Sequence, residues 1–434
     1  MTTNSPPSGT TYPDHLPVDA LYDTVPIRRL QAADLAVPRS RTRTALLVAA
    51  VLAVAVNLRT GISSVGAALP ELEAALSLPP AITGVLTSAA PLCFAAAAAV
   101  LPAFPRLRPH RAVVGCLVLL CAGLSLRVIG GTWELLVGTI VAYGAIAVCN
   151  ILLPALVRQG FSARAGSMLS SAYAACISTG VGASAAATPL LSASSGWRIA
   201  LAVWAIPPVV AAVLCFAAVR GRRLAPVPSP DHDSTQVRSV LRSRRAWALT
   251  LFFGLQSLLS MTVLSWLPAM LRALTGMSAS TAGVLLAVTM AVAIIASLLI
   301  SIVAASRRAL IGAMVTTTVS GGLGLTGLLL MPAATPAHPV VWSVLLGVGL
   351  AALAPALSMV TRSARDAREA ARLSALCQGV GYLIAATGPL VVSVLAQSLH
   401  NFPAAIVFLI SACLVQLGAA LLVLDTTRRQ EGPR

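Results

Sequence analysis

Apolar blocks of about 20 residues, each long enough to cross roughly 30 Å of hydrocarbon, recur from Thr44 to Leu424 with short polar breaks between them. Neither the alternation of a strand nor the one-sided stripe of a surface helix runs through these blocks, and the short segments of alternating polarity that a membrane barrel needs are absent. The pattern predicts an all-α integral membrane protein with 12 transmembrane helices. The spans are expected near 44–68, 81–103, 112–129, 133–157, 167–191 and 198–219, then near 246–271, 280–304, 309–331, 340–360, 373–399 and 403–424. A polar, proline-rich stretch at 220–245 separates the two sets. The organisation predicted is therefore a disordered tail over 1–43, a six-helix bundle over 44–219, a linker over 220–245, a second bundle over 246–427 and a short tail over 428–434.

Internal similarity supports the division. Gly84-Val85-Leu86 is matched by Gly283-Val284-Leu285. Pro154-Ala155-Leu156 is matched by Pro355-Ala356-Leu357, and Gly180-Val181-Gly182 by Gly379-Val380-Gly381. The common offset of about 200 residues makes a parallel repeat of two pseudo-symmetric six-helix bundles, the organisation of the major facilitator superfamily.

Composition narrows the function. With 57% hydrophobic and 10% charged residues, the chain has too few charges to cover a soluble protein of this length. All the basic residues are arginines, and they cluster between spans, which reads as a topology signal and not as a nucleic-acid surface. The clusters fall on alternate connections, and only Arg127, Arg198 and Arg272 are assigned to the opposite side. Both termini are thus expected in the cytoplasm, with the protein multi-pass in the cell inner (cytoplasmic) membrane. The chain has no lysine, so it lacks the lysine of a nucleotide-binding phosphate loop. No nucleotide, nucleic acid, metal or other cofactor is expected, and the protein is read as a monomer whose partners are the lipid bilayer and a small-molecule substrate. The eight cysteines lie in apolar runs without ligand spacing and read as small buried hydrophobes. No histidine or acid falls at mid-membrane, which argues against an intramembrane enzyme and against a carboxylate proton relay.

The candidate chemistry starts at Arg59, deep in the first span. An arginine at a bilayer centre costs roughly 3 to more than 10 kcal/mol, and no carboxylate lies near it in sequence. It is expected to face a water-filled cavity and to attract an anionic or polar substrate. Asn57 points to another azimuth and either bonds a neighbouring helix or lines the same cavity. Gln256, Gln378 and Asn150 are candidate substrate donors or, alternatively, interhelical hydrogen bonders. Tyr143, Tyr173 and Tyr382 line the cavity or pack at an interface. Trp266 is an aromatic gate or an interfacial anchor, with the anchor preferred.

The stretch Asn57-Leu58-Arg59-Thr60-Gly61-Ile62-Ser63-Ser64-Val65-Gly66, followed by Leu69-Pro70-Glu71-Leu72, resembles the signature of the cyanate and 2-nitroimidazole transporter family of the major facilitator superfamily. Arg245-Ala246-Trp247, Phe253-Gly254-Leu255, Ser265-Trp266-Leu267-Pro268 and Gln378-Gly379-Val380-Gly381-Tyr382 are similar to the family's pattern in the seventh and eleventh spans. The resemblance implies a secondary transporter that moves a small anionic or polar compound by alternating access or, as the alternative, exports nitroimidazole-like or other drug-like compounds. It also implies a cavity lined by spans 1, 4, 7 and 10.

Overall fold

In the computed structural model the described residues are all but 1–40, 105–107, 162, 221–241, 304–305, 332–338, 364–366, 399–400 and 432–434, and they build one compact unit from Leu46 onward. The helices are α1 (Arg41–Ala67), α2 (Leu69–Leu76), α3 (Pro80–Val100), α4 (Pro109–Ile129), α5 (Thr132–Gly160), α6 (Ala163–Ala202), α7 (Ile206–Val219), α8 (Arg244–Thr275), α9 (Ala279–Val303), α10 (Arg307–Leu330), α11 (Pro339–Leu350), α12 (Leu353–Ser363), α13 (Ala367–Ser393) and α14 (Phe402–Glu431).

Ten helical stretches among the described residues are long and apolar enough to cross a membrane. One of them, Ala175–Ala218, holds two crossings. Its backbone leaves helical geometry at Gly196, whose φ of 81° lies in the left-handed region that glycine tolerates. The crossing expected near 340–360 is split into α11 and α12. Pro355 has no amide to offer the Ala351 carbonyl one turn earlier, and the chain turns at Ala351 and Ala352. With Ala175–Ala218 divided at Gly196 and α11 and α12 counted together, the helices of the described residues supply twelve membrane-length stretches, six on each side of the segment between α7 and α8.

The ends differ from the sequence reading at a few places. The first helix begins at Arg41, and the last continues to Glu431. Leu69-Pro70-Glu71-Leu72, which the pattern leaves between the first two spans, belongs to α2, which buries Leu69 and Leu72 and ends on Ser77 in the left-handed conformation. Most of the 220–245 segment and His400 lie outside the described residues.

The two halves meet along two equivalent seams, α3 against α13 and α6 against α9. The repeat noted in the sequence shows directly in the contacts. Gly84 on α3 faces Leu390 and Ser393 of α13, while Gly283 on α9 faces Ala185 and Pro189 of α6. A Cβ on Gly283 would sit 2.2 Å from the Ala185 carbonyl oxygen, so only glycine permits that approach. Along the centre, α1 and α2 meet α8 through near-equivalent positions. Arg59 and Met261 touch across 202 residues, and Glu71 and Arg272 across 201. Pseudo-equivalent residues can touch only near the axis that relates them, so the pseudo-two-fold axis runs between α1 and α8.

Candidate functional site

Arg59 lies on the central axis at mid-depth of α1. Its side chain is half-buried, and its Nη1 approaches the Met261 thioether at 3.7 Å. Among the described residues no carbonyl, hydroxyl or carboxylate accepts from it, and a thioether is a weak acceptor. The Tyr382 phenol of α13 lies within electrostatic range of the guanidinium. Tyr382 in turn packs between Phe94 of α3, with ring centroids 5.1 Å apart, and Phe253 of α8, edge-on at 5.5 Å. One turn before Tyr382, the half-buried Gln378 bonds Ser374 through Nε2 at 2.8 Å, leaving its carbonyl oxygen uncommitted. A cation with most of its donors free thus lies near the Tyr382 phenol, whose ring joins Phe94 of α3 and Phe253 of α8 in one aromatic cluster. Such a group suits a planar anion or a polarised nitro group, which accepts from the guanidinium fork while its face rests on a ring.

A second arginine, which the sequence pattern put at the arginine-poor end of the third span, is sealed inside the protein. Arg127 lies in the last turn of α4 and is 0% exposed. Its Nη1 donates to the Gly61 carbonyl and its Nη2 to the Ser64 hydroxyl, each at 3.2 Å. The Tyr143 hydroxyl donates to the same Gly61 carbonyl at 3.3 Å. Tyr143 therefore serves a buried knot that ties α4 and α5 to α1. The sequence signal that could have found Arg127 was its isolation, since no other basic residue accompanies it at that span end.

The other candidates separate in the same way. Asn57 is buried and bonds its own helix, at the Ala53 carbonyl, 2.8 Å away. Asn150 is half-buried on α5 and makes no hydrogen bond among the described residues. Gln256 is buried within the second half. Its Nε2 donates to the Gly349 and Leu350 carbonyls, both at 3.2 Å, and its Oε1 accepts from Gln416 Nε2 at 2.7 Å. It fastens the broken crossing at the point where α11 ends, and the irregular backbone there finds a partner inside the protein. Trp266 is 1% exposed, and its indole nitrogen has no partner among the described residues. An anchor at a lipid interface would be exposed, so the preferred anchor reading is corrected: the ring projects from α8 into the protein interior.

At the arginine-poor end the halves are clasped. Arg272 at the end of α8 pairs with Glu71 of α2 at 2.9 Å. Gln397, in the π-helical turn after α13, donates to Glu73 of α2, and the Ser393 hydroxyl donates to the Pro80 carbonyl at 2.9 Å. Below them Gly66 packs on the backbone of α8, where an added Cβ would stand 2.7 Å from the Leu264 carbonyl oxygen.

Comparison with known proteins agrees with this architecture. Residues 50–343 match the model of the Major Facilitator Superfamily. The chain is 31% identical to the 2-nitroimidazole transporter of Escherichia coli (strain K12) over 347 residues, covering 79% of this chain and 86% of that one. It is 28% identical over 357 residues to the cyanate transport protein CynX of the same strain, covering 80% and 89%. Over 382 residues it is 30% identical to the transporter YycB of Bacillus subtilis (strain 168), covering 86% and 92%. Among solved structures, a bacterial homolog of the human lysosomal transporter Spinster, inward-facing and unoccupied, superposes with a TM-score of 0.70 at 13% identity, over 89% of this chain and 99% of that one. A D-xylose-proton symporter superposes with a TM-score of 0.65 at 15% identity, over 88% and 97%. The sequence resemblance is thereby upheld: the chain belongs to the major facilitator superfamily of membrane transporters, and within it to the cyanate and 2-nitroimidazole transporter family.

Proposed function

We propose that this secondary transporter moves a small anionic or polar compound by alternating access, with Arg59 as the group that holds it. The observation that carries this reading is the guanidinium itself. It lies on the pseudo-axis between the halves, half-buried, and its one contact with a hydrogen-bond acceptor among the described residues is a thioether. A charge held there without acceptors is explained if its acceptor is the cargo. Gln378, Asn150 and the Phe94, Phe253 and Tyr382 rings complete the proposed site. Asn57, Gln256, Tyr143 and Trp266 support it from behind.

In this reading both termini are cytoplasmic and the arginine-poor end faces outside. The α2–α8 clasp is then the outer gate, and the conformation is one with that gate closed. The working unit is the monomer, with a site on the axis of one chain.

The relatives transport cyanate and a nitroimidazole, and both chemistries fit a cation beside an aromatic cluster. The aromatic cluster itself favours planar nitroaromatic compounds, the substrates of the second reading, over cyanate, which has no ring to stack. Purified protein in proteoliposomes, loaded in turn on each side with labelled cyanate, benzoate or 2-nitroimidazole, tests the substrate and its direction. Flux of at least one of these is expected in the wild type, with loss in Arg59→Ala at unchanged insertion. Normal flux in correctly inserted Arg59→Ala protein would overturn the site.

A further inference from the structure

The outer clasp contains more acceptors than donors. Glu71 gives one oxygen to Arg272, and its other oxygen, Oε2, is buried without a partner among the described residues. Glu73 receives the Gln397 amide, while Gln397 Oε1 is also buried and unpartnered. Turning the Gln397 amide over would bring its oxygen onto the Glu73 carboxylate, which needs a donor no less. Buried oxygens without donors are costly. With the amide turned over, one proton on the Glu73 carboxyl supplies the donor that Gln397 Oε1 lacks.

We infer that Glu73, with Glu71 and Gln397 beside it, is a proton-binding site of the closed outer gate, so that outside acidity holds the two halves together at that end. The inference rests on the alternating-access reading above. The charged groups around the site are few. Glu71 and Arg272 face it from α2 and α8. Arg127 is spent on Gly61 and Ser64, and Arg198 of α6 is bonded to the Val128 carbonyl at 3.1 Å. Glu134 at the start of α5 accepts from the Gly131 amide. The facing ends of α3, α9, α13 and α14 bring no titratable side chain among the described residues; His400 lies outside them. Burial, with the Glu71 charge adding to it against the Gln397 hydrogen bond, pushes the Glu73 carboxyl from 4.5 up to about 7. Opening the gate returns it to water and to the ordinary range.

The sign follows from linkage. The closed gate has the higher pKa, so it binds the proton more tightly and is favoured as pH falls through about 7, with the effect complete near 4.5. One proton changes the closed-to-open ratio by up to about tenfold per pH unit across that window. The proton is taken from and returned to the same side, so the site sets how many carriers face outward and moves no proton across the membrane.

The test is a distance measurement on the full chain in lipid nanodiscs. Spin labels are carried on unnatural side chains at Ala193 of α6 and Ala273 of α8, exposed positions at the outer ends of the two halves. Wild type is expected to be mostly short-distance at pH 5.5 and to gain a long-distance population at pH 8.5. Glu73→Gln, permanently neutral, is expected to stay short at both. Arg272→Ala combined with Glu71→Ala is expected to open at both, which shows that the gate can move. If that pair opens but wild type is unchanged by pH, or Glu73→Gln keeps the wild-type response, the proton site is wrong and alternating access stands. If His400→Gln alone removes the response, the site is likewise wrong. If the pair stays closed at every pH, the gate reading fails, and the inference with it.

Discussion

Arg59 and Arg127 bear the same charge, and both are placed in the membrane-spanning part of the first half, yet their surroundings are opposite. Arg127 is sealed from solvent and spends two of its nitrogens on Gly61 and Ser64, in a knot shared with Tyr143. Arg59, two residues before that carbonyl, keeps partial exposure and touches a thioether. The contrast separates an arginine that holds helices together from one kept available. A buried charge is no mark of a binding site in itself; the proposed site rests on a charge without acceptors.

The largest effect that would break this contrast is on transport. Arg59→Ala should lower flux at least a hundredfold, the loss of two charge-assisted hydrogen bonds at about 1.5–3 kcal/mol each, with little change in thermal unfolding in detergent. Arg59→Lys should keep part of the activity, because an ammonium cannot offer the planar fork. Arg127→Met should do the reverse. The Gly61 carbonyl and Ser64 lose a charged donor, and unfolding in detergent should show about 2–4 kcal/mol of destabilisation, while any folded fraction still binds substrate. If Arg127→Met were stable and inactive, the two roles would have to be exchanged.

Gln256 extends the comparison to the second half, where it is the satisfied kind. Gln256→Leu should cost about 1–3 kcal/mol by stranding the Gly349 and Leu350 carbonyls, with substrate affinity in the folded protein nearly unchanged. The smallest effect belongs to the partly exposed Arg272–Glu71 pair, whose side chains are 32% and 28% exposed. Glu71→Gln should change global stability by less than about 1 kcal/mol, and any larger value from thermal unfolding would mean the clasp holds the fold and not only the gate.

Much of this was legible in the chain. The depth of Arg59 in its apolar run and the offset of about 200 residues between paired glycines follow from spacing alone. The role of Arg127 was not legible, because its partners lie 66 and 63 residues away and its place at a span end tells only the side of the membrane. Gln256 was legible in depth but not in direction: nothing local says that its amide turns toward α11 and α14 and away from the axis. The amphipathic Leu69–Leu76 segment looked too short to count, and the break before Pro355 hides inside an unbroken apolar run. What spacing fixes is the distance along a helix; what it leaves open is which neighbour each side chain meets.

The seam glycines carry one more consequence. Where Gly66 lies on Leu264 and Ser265, and Gly283 on Ala185, backbone touches backbone with almost no side chain between. A leucine buried there would charge roughly 1.5–3 kcal/mol of exposed hydrocarbon on every parting. Surfaces this bare can separate and rejoin thousands of times at little thermodynamic penalty, and a carrier that must turn over needs a junction that grips without sticking.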